Sequence, residues 1–180
     1  NHQVELRTFR THTDRVRSLL VTPDGQHAIS SSDDGTLQVW NMRLVAPIRK
    51  FKEHNYWAIA VTPDSRSVIS AHTAATLKVW DLESGIERCT FTKHTDRIRA
   101  IVVTPDGRYA ASAGDDRTIR LWDVQTGEEN LRIDVRAHWI RGLAIAPDGS
   151  YVLSASDLRQ IKLWYLKDGS EDRCFKGHTA

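Results

Sequence analysis

The chain has 180 residues, of which 25 are basic and 23 acidic, so its net charge at pH 7 is only +2. Nucleic-acid-binding domains usually carry a clustered, strongly basic surface, so this balance argues against nucleic acid as a partner. No apolar stretch approaches the roughly 18 residues of a membrane span. Cys89 and Cys174 are too few for a disulfide framework, and we expect both to be buried thiols, in the same repeat position, of a cytoplasmic protein.

Four tryptophans recur along the chain at intervals of 40, 42 and 42 residues, each 17 residues after a proline. The four pairs are Pro23 and Trp40, Pro63 and Trp80, Pro105 and Trp122, and Pro147 and Trp164. Such a period indicates repeated supersecondary units that bury their apolar surface only against neighbouring units. We predict units at residues 12–53, 54–93, 94–137 and 138–180, the last including the start of a next repeat. Residues 1–11 are predicted to form the outer strand of a preceding or partner unit.

Each unit shows the same order of short β-segments. The first segment is a continuous apolar run, which predicts a strand buried on both faces, at residues 16–21, 58–61, 98–103 and 143–146. A Thr-Pro-Asp-Gly type of turn follows, in which Gly25, Gly107 and Gly149 can adopt a positive φ and Ser65 replaces the glycine. The second strand is predicted at residues 28–31, 68–71, 110–113 and 152–155.

The third segment of each unit alternates between two faces, and it ends at the repeated tryptophan. In the first unit Leu37 and Val39 lie on one face and Gln38 and Trp40 on the other. The fourth segment is more polar, which suits an outer edge, at residues 48–51, 88–91, 131–135 and 172–175. Four antiparallel strands per unit, repeated radially, predict an all-β fold of four propeller blades.

The repeated residues resemble those of the WD-repeat β-propellers over essentially the whole chain. The resemblance rests on the histidine that opens each unit (His12, His54, His94 and His138) and on the closing Trp80-Asp81 and Trp122-Asp123. It implies rings of about seven or eight blades, so four blades would form half a ring. The regularity of the repeats is similar to that of bacterial WD-repeat arrays.

The resemblance also implies a hydrogen-bonded tetrad of histidine, serine, aspartate and tryptophan inside a blade. The first unit supplies His12, Ser30, Asp34 and Trp40, and the third supplies His94, Ser112, Asp116 and Trp122. The second and fourth units carry Ala74 and Leu158 at the acidic position, so we expect no complete tetrad there. We expect His54 and His138 to face loops. This alternation indicates that a two-blade unit was duplicated.

Serine, histidine and aspartate together could suggest a hydrolase, but here they follow a structural period, and no Gly-x-Ser-x-Gly elbow is present. Histidines about 40 residues apart lack the close pairing of a zinc site. We therefore predict no enzyme, no cofactor and no metal.

The resemblance implies that the loops before the first strands and between the second and third strands open on one rim, where partners dock. The candidate partner-binding residues are Arg15, Arg17, Asp33, Trp57, Arg97, Arg99, Asp115, Trp139 and Arg141, with Asn55, Thr73 and Asp157 at the corresponding positions. Arginine and tryptophan are enriched at interface hot spots. The alternative is that the Arg–Asp pairs only satisfy each other in solvent.

The predicted function is a non-catalytic scaffold for protein partners, in which the substitutions Trp57→Ala and Arg99→Ala together abolish partner capture. The alternative is a sensor, ligand-binding or nucleic-acid-binding half of a larger signalling protein. Four blades would leave two apolar faces open. Either a homodimer closes an eight-bladed ring, or a longer chain supplies the remaining blades, which the redundancy of residues 4–9 with residues 171–175 favours. A closed ring of four blades is the third alternative.

Overall fold

The computed structural model describes residues 8–44, 46–52, 56–73, 75–135 and 139–176, except for the side chains of Tyr56, Trp57 and Lys176. Every regular element in this part of the chain is a β-strand. None of the described residues belongs to a helix long and apolar enough to cross a membrane. Residues 1–7 of the predicted N-terminal outer strand lie outside the described residues.

The strands form antiparallel sheets of four, in which chain order is also the order of hydrogen bonding. Sheet 1 contains β1 (Val16–Val21), β2 (His27–Ser32), β3 (Thr36–Asn41) and β4 (Ala46–Lys52). Sheet 2 contains β5 (Tyr56–Val61), β6 (Ser67–His72), β7 (Leu77–Asp81) and β8 (Glu87–Phe91). Sheet 3 contains β9 (Ile98–Val103), β10 (Tyr109–Gly114), β11 (Thr118–Asp123) and β12 (Glu129–Asp134). Sheet 4 contains β13 (Ile140–Ile145), β14 (Tyr151–Ser156), β15 (Gln160–Tyr165) and β16 (Glu171–Lys176). The predicted fold class, four β-propeller blades, is confirmed.

A hydrogen-bonded turn joins the first and second strands of each sheet. In sheet 1 the Thr22 hydroxyl donates to Asp24 at 2.5 Å and accepts from the backbone N–H of His27 at 3.0 Å. Gly25 closes the turn with a φ of 68°, which costs glycine little. Ser65 adopts a φ of 60° at the same place in sheet 2. Sheet 2 therefore keeps the turn geometry although serine replaces the glycine.

The core lies between neighbouring sheets. The first strands β1, β5, β9 and β13 contact one another in series, and an apolar cluster fills each junction. An aromatic pair crosses two of these junctions: Phe51 lies 5.0 Å from Trp80, and Phe91 lies 5.0 Å from Trp122, measured between ring centroids. Burying one such side chain stabilises the fold by roughly 2–3 kcal/mol, so each sheet depends on the next.

A β-bulge lies opposite the repeated tryptophan in every sheet. The register between the third and fourth strands shifts by one residue at Trp40, Trp80, Trp122 and Trp164. In sheet 1 the residue paired with Trp40 is Pro47. An outer strand with a bulge tolerates proline, which has no N–H to donate to a ladder.

The expectation that every first strand is buried on both faces is wrong for β1. Val16, Leu19 and Val21 expose 54%, 67% and 53% of their surface, whereas Ile98 and Ile101 in β9 expose 0% and 8%. No described sheet packs against this face of sheet 1, which explains the difference. Phe9 covers part of it, with its ring 4.9 Å from that of Trp40.

Sheet 4 leaves its opposite face open. Phe175 exposes 46% of its surface, whereas Phe91, at the same position of sheet 2, exposes 2%. The expectation of two buried thiols in one repeat position is also wrong: Cys89 pairs with Val79 and is half-buried, but Cys174 pairs with Lys162 on the polar face and is exposed. Both cysteines are free.

Candidate functional site

The loops before the first strands and the turns between the second and third strands lie at one end of the sheets. We call this surface the docking rim. In three sheets the backbone N–H of an aspartate in the turn donates to a carbonyl in the loop. These bonds join Asp33 to Arg15 at 2.9 Å, Asp115 to Arg97 at 2.8 Å, and Asp157 to Trp139 at 3.2 Å. The structure therefore brings the predicted loop and turn positions together.

Each of these three aspartates also accepts two hydrogen bonds from an arginine of the first strand. The Nε and Nη2 atoms of the arginine lie 2.5–3.0 Å from the carboxylate in the pairs Arg17 and Asp33, Arg99 and Asp115, and Arg141 and Asp157. The hydrogen bond from Arg17 lowers the pKa of Asp33, so this pair stays charged near neutral pH. Exposed ion pairs stabilise a fold by about 0–1 kcal/mol, so the Arg17–Asp33 and Arg141–Asp157 pairs contribute more to the shape of the rim than to its stability. The side chains of Arg99 and Asp115 are more buried, with 20% and 8% exposed.

Among the described residues of the docking rim, two of sheet 4 expose large apolar side chains. Trp139 and Leu158 expose 43% and 44% of their surface. They lie close together, because Leu158 follows Asp157, whose N–H donates to the carbonyl of Trp139. The guanidinium of Arg141 lies 5.0 Å from the centroid of the Trp139 ring, within reach of a cation–π interaction. Leu158 was noted in the sequence only as the residue that replaces an aspartate.

The remaining rim candidates are placed less completely. Asn55 and the Trp57 side chain lie outside the described residues. Thr73 and Arg15 are exposed, and Arg97 is half-buried. The role of all these residues in binding a partner stays a prediction.

The tetrad residues of sheet 3 form one chain of hydrogen bonds. His94 Nδ1 lies 2.6 Å from Asp116 Oδ2, and His94 Nε2 lies 2.7 Å from Ser112 Oγ. The indole N–H of Trp122 donates to the same Oγ at 2.8 Å. Because an ionised Asp116 can only accept, Nδ1 carries a proton. In neutral His94, Nε2 then accepts from the Ser112 hydroxyl.

Sheet 1 repeats this arrangement with His12, Ser30, Asp34 and Trp40. The corresponding distances are 2.9 Å from His12 Nδ1 to Asp34, 2.7 Å from His12 Nε2 to Ser30, and 2.8 Å from Trp40 to Ser30. The aspartate also accepts from the backbone N–H of Thr13 at 2.9 Å. The tetrad thus ties the loop before β1 to the turn after β2.

In sheet 2 the serine also bonds a histidine, but this histidine lies in the second strand and not in the loop before the first strand, which the sequence analysis did not predict. His72, the last residue of β6, is buried, and its Nε2 lies 3.0 Å from Ser70 Oγ, which accepts from Trp80 at 2.8 Å. The two residues share a face of the strand because they are two positions apart. This spacing of two residues was the sequence feature that could have predicted the contact. His54 and His138, expected to face loops, lie outside the described residues.

The buried aspartates of sheets 1 and 3 are strongly acidic. Burial alone would raise the pKa of Asp116, but the hydrogen bond and the charge of His94 outweigh it and lower that pKa to about 2. In the same way, burial opposes the lowering of the pKa of Asp34, and hydrogen bonds from Thr36, Thr13 and His12 outweigh it. Both carboxylates are therefore ionised at neutral pH.

The Ser–His–Asp geometry of sheet 3 resembles a hydrolase triad, but its serine is inaccessible. Ser112 exposes 0% of its surface, and its Oγ already accepts from the Trp122 indole. A nucleophile must reach its substrate, and this one lies behind a tryptophan. The part of the chain that the structure describes contains no group of three or more His, Cys, Asp or Glu residues that could hold a metal.

Comparison with known proteins gives the same repeat. The family described as "WD domain, G-beta repeat" matches residues 3–41, 45–81, 85–123 and 129–165. Among curated proteins, the chain is similar to the "Ribosome biogenesis protein BOP1 homolog" of Drosophila erecta, with 46% identity over 39 residues, which is 22% of this chain and 5% of that protein. The homologue from Drosophila grimshawi is 38% identical over 52 residues, which is 29% of this chain and 7% of that protein. The chain thus spans only a small part of the length of these relatives, and the matched segment is about as long as one repeat.

Proposed function

The chain belongs to the WD domain, G-beta repeat family, and from this premise we propose that it is a non-catalytic scaffold that binds protein partners on its docking rim. The observation that carries the proposal is the exposed pair Trp139 and Leu158 beside the Arg141–Asp157 ion pair. A tryptophan next to an arginine, surrounded by charge, is typical of an interface hot spot. The matches to ribosome biogenesis proteins cover about one repeat, so they support the repeat and not that role.

The absence of catalysis is part of the same proposal. Ser112 and His94 are buried and serve the packing of Trp122 against its neighbours. A Ser112→Ala variant would therefore lose stability. Hydrolysis of ester or peptide substrates that is present in the native chain and absent from this variant would contradict the proposal.

The test of docking is partner capture by matched variants. The chain is immobilised, a partner is captured from an extract of the source cells, and its affinity is then measured with purified protein. We expect the double variant Trp139→Ala and Arg99→Ala to weaken binding by at least about a hundredfold, since hot-spot truncations each cost about 2 kcal/mol. Arg108→Ala is the control, because Arg108 lies in the turn between β9 and β10, at the opposite end of sheet 3, where it pairs with Asp123. Equal affinity of both variants would contradict docking on this rim.

The two open faces are part of the proposed assembly. We propose that further blades cover Leu19 and Phe175, which are exposed although their equivalents Ile101 and Phe91 are buried. A second copy of this chain would close an eight-bladed ring, and light scattering at micromolar concentration would then give twice the chain mass of 20.4 kDa. A mass of one chain would contradict the homodimer and would leave a longer polypeptide as the source of the blades.

A further inference from the structure

The rim opposite the docking rim carries a crevice at each junction between neighbouring sheets. We name these the 1/2, 2/3 and 3/4 crevices after the sheets that form them. Their volumes are about 390, 620 and 820 Å³. The 3/4 crevice is lined by Asp106, Tyr109 and Leu121 from sheet 3 and by Asp148, Tyr165 and Leu166 from sheet 4, among others. Equivalent strands and turns form the three crevices, but different side chains line them.

An arginine of the chain itself occupies the 1/2 crevice. Arg49, on the outer strand of sheet 1, crosses to sheet 2, where its Nε donates to the carbonyl of Leu82 at 3.2 Å and its Nη2 donates to the carbonyl of Glu83. Its side chain lies against Gly85, where an added Cβ would meet it at 3.3 Å. The carbonyls at the start of the turn after β7 therefore form a guanidinium site.

The same position holds other side chains in the next two crevices. Cys89 lies against Gly127, and its thiol is 3.6 Å from the carbonyl of Val124. A Cβ added at Gly169 would meet Ile133 at 3.0 Å and Leu131 at 3.4 Å. The turns are equivalent, because the N–H of each glycine donates to the carbonyl four residues earlier at 2.8–2.9 Å. Leu131 has no donor, so it cannot reproduce the bonds that Arg49 makes.

The 3/4 crevice is also lined by fewer cationic side chains than the other two crevices. Two arginines line each of the other crevices: Arg49 and Arg66 in one, Arg88 and Arg108 in the other. In the 3/4 crevice the residue equivalent to Arg66 and Arg108 is a serine, and the cation in the lining is Lys167, which exposes 78% of its side chain and lies 3.9 Å from its neighbour Asp168.

Two carboxylates at the mouth of this crevice are held in the charged form. The Thr104 hydroxyl and the N–H of Arg108 donate to Asp106 and lower its pKa. The N–H and the hydroxyl of Ser150 do the same for Asp148. The rings of Tyr109 and Tyr165 also line the crevice, and each already lies beside a cation of the chain itself. Arg108 is 4.9 Å from the Tyr109 ring centroid, and Lys167 is 5.7 Å from that of Tyr165.

We propose that the 3/4 crevice binds an arginine side chain of a protein partner, at the carbonyls equivalent to those that Arg49 binds in the 1/2 crevice. The guanidinium donates to the carbonyls of Leu166 and Lys167, the equivalents of Leu82 and Glu83, and pairs with Asp106 and Asp148. This surface is separate from the docking rim, so either proposal can fail while the other holds.

The test uses the whole ¹⁵N-labelled chain and two capped tripeptides, acetyl-Gly-Arg-Gly-amide and acetyl-Gly-Leu-Gly-amide. We expect the arginine peptide to give saturable amide shifts at Gly149, Ser150 and Gly169. Its affinity should exceed that of the leucine peptide by about tenfold, the effect of one charge-assisted hydrogen bond. Equal affinities, or shifts elsewhere on the chain, would overturn the proposal.

Two variants exchange the contents of the crevices. Leu131→Arg places a guanidinium in the 3/4 crevice, as Arg49 does in the 1/2 crevice, and should weaken binding of the arginine peptide by about tenfold. Arg49→Leu should open the 1/2 crevice and add shifts at Gly85. Unchanged binding by a folded Leu131→Arg variant would overturn the proposal.

A third variant keeps the test decisive if Leu131→Arg does not fold. Asp148→Asn preserves the acceptor for the Ser150 N–H but removes the charge, and we expect about a fivefold to tenfold loss of affinity for the arginine peptide. The control is Arg99→Ala on the opposite rim, which should leave the affinity unchanged. Equal affinities of the two variants would overturn the proposal.

Discussion

In sheets 3 and 2 a histidine bonds the equivalent serine, but the histidine comes from a different part of each repeat. In sheet 3, His94 comes from the loop before β9 and bonds both Ser112 and Asp116. In sheet 2, His72 comes from the end of β6 and bonds Ser70 on the same strand. The bond from the tryptophan to the serine is almost identical in all four sheets, at 2.8–2.9 Å. The serine–tryptophan pair is thus the constant element, and the histidine is variable.

The difference matters at the docking rim. A loop histidine brings its own segment into the sheet, and Asp116 also accepts the N–H of Thr95 at 3.2 Å. The loop before β9 is thereby joined to the turn after β10. The described side-chain bond of His72 lies within its own strand, to Ser70. We infer that sheets 1 and 3 fix the rim through their tetrads.

The largest effect should come from removing the constant element. We expect Trp122→Ala and Trp80→Ala each to lower the free energy of unfolding by about 3–5 kcal/mol, because both leave a large cavity between sheets. Trp139→Ala, at an exposed position, should cost less than about 1 kcal/mol. Urea denaturation followed by circular dichroism measures all three. A cost for Trp139→Ala as large as that for Trp122→Ala would contradict this order.

The next effect separates the two histidines. His94→Ala leaves the Asp116 carboxylate buried without its partner, which should cost about 3–4 kcal/mol. His72→Ala leaves Ser70 with the indole donor of Trp80, and we expect about 1–2 kcal/mol. The comparison is made by urea denaturation under identical conditions. Equal losses would mean that the loop histidine contributes nothing beyond its bond to serine.

The backbone position that His72 occupies in sheet 2 is Gly114 in sheet 3. A Cβ at Gly114 would lie 2.0 Å from the carbonyl oxygen of Arg97, so a side chain there forces the loop away from the strand. We expect Gly114→Ala to cost about 3 kcal/mol. Ser32→Ala, at the same position of sheet 1, is the control, and its cost should be about 1 kcal/mol. A neutral Gly114→Ala in thermal denaturation would contradict the close approach.

The tetrads should also make stability depend on pH. The pKa of Asp116 is about 2 in the folded chain against an ordinary 3.8, so the unfolded chain binds the proton more tightly. Its contribution, about 2 kcal/mol, is complete above about pH 5 and is lost as the pH falls through 3.8 to 2. Denaturation between pH 2 and 6 measures it, and Asp116→Asn should flatten the curve. An equally steep curve for that variant would contradict the assignment.

The features that recur in every repeat were predicted from the sequence. The tryptophans, the turns with Gly25 and the loss of the aspartate at Leu158 were all visible in the spacing. The sequence could not reveal the bulge opposite Trp40 or the substitution of His72, because each depends on pairing between strands. The exposure of Val16 and Phe175 depends on which sheets are present at the ends of the array. A local sequence pattern cannot report which sheets pack against a strand.

The site was predicted to a different extent. The pairs of Arg17 with Asp33 and of Arg99 with Asp115 were expected on the rim, and their side chains do meet. The exposed surface of Leu158 was missed, since a leucine in a strand-rich repeat suggests the core. The crevices were missed as well. They require knowing that Arg49 and Leu131 lie at the same position of neighbouring junctions.

The central claim is that the polar chain of sheet 3 stabilises the fold as one unit. Unfolding free energies of the native chain, His94→Ala, Asp116→Ala and the double variant test it most directly. We predict that the double variant loses about 2–3 kcal/mol less than the sum of the single losses, since either single substitution already removes the bond between His94 and Asp116. Losses that add within about 0.5 kcal/mol would contradict it.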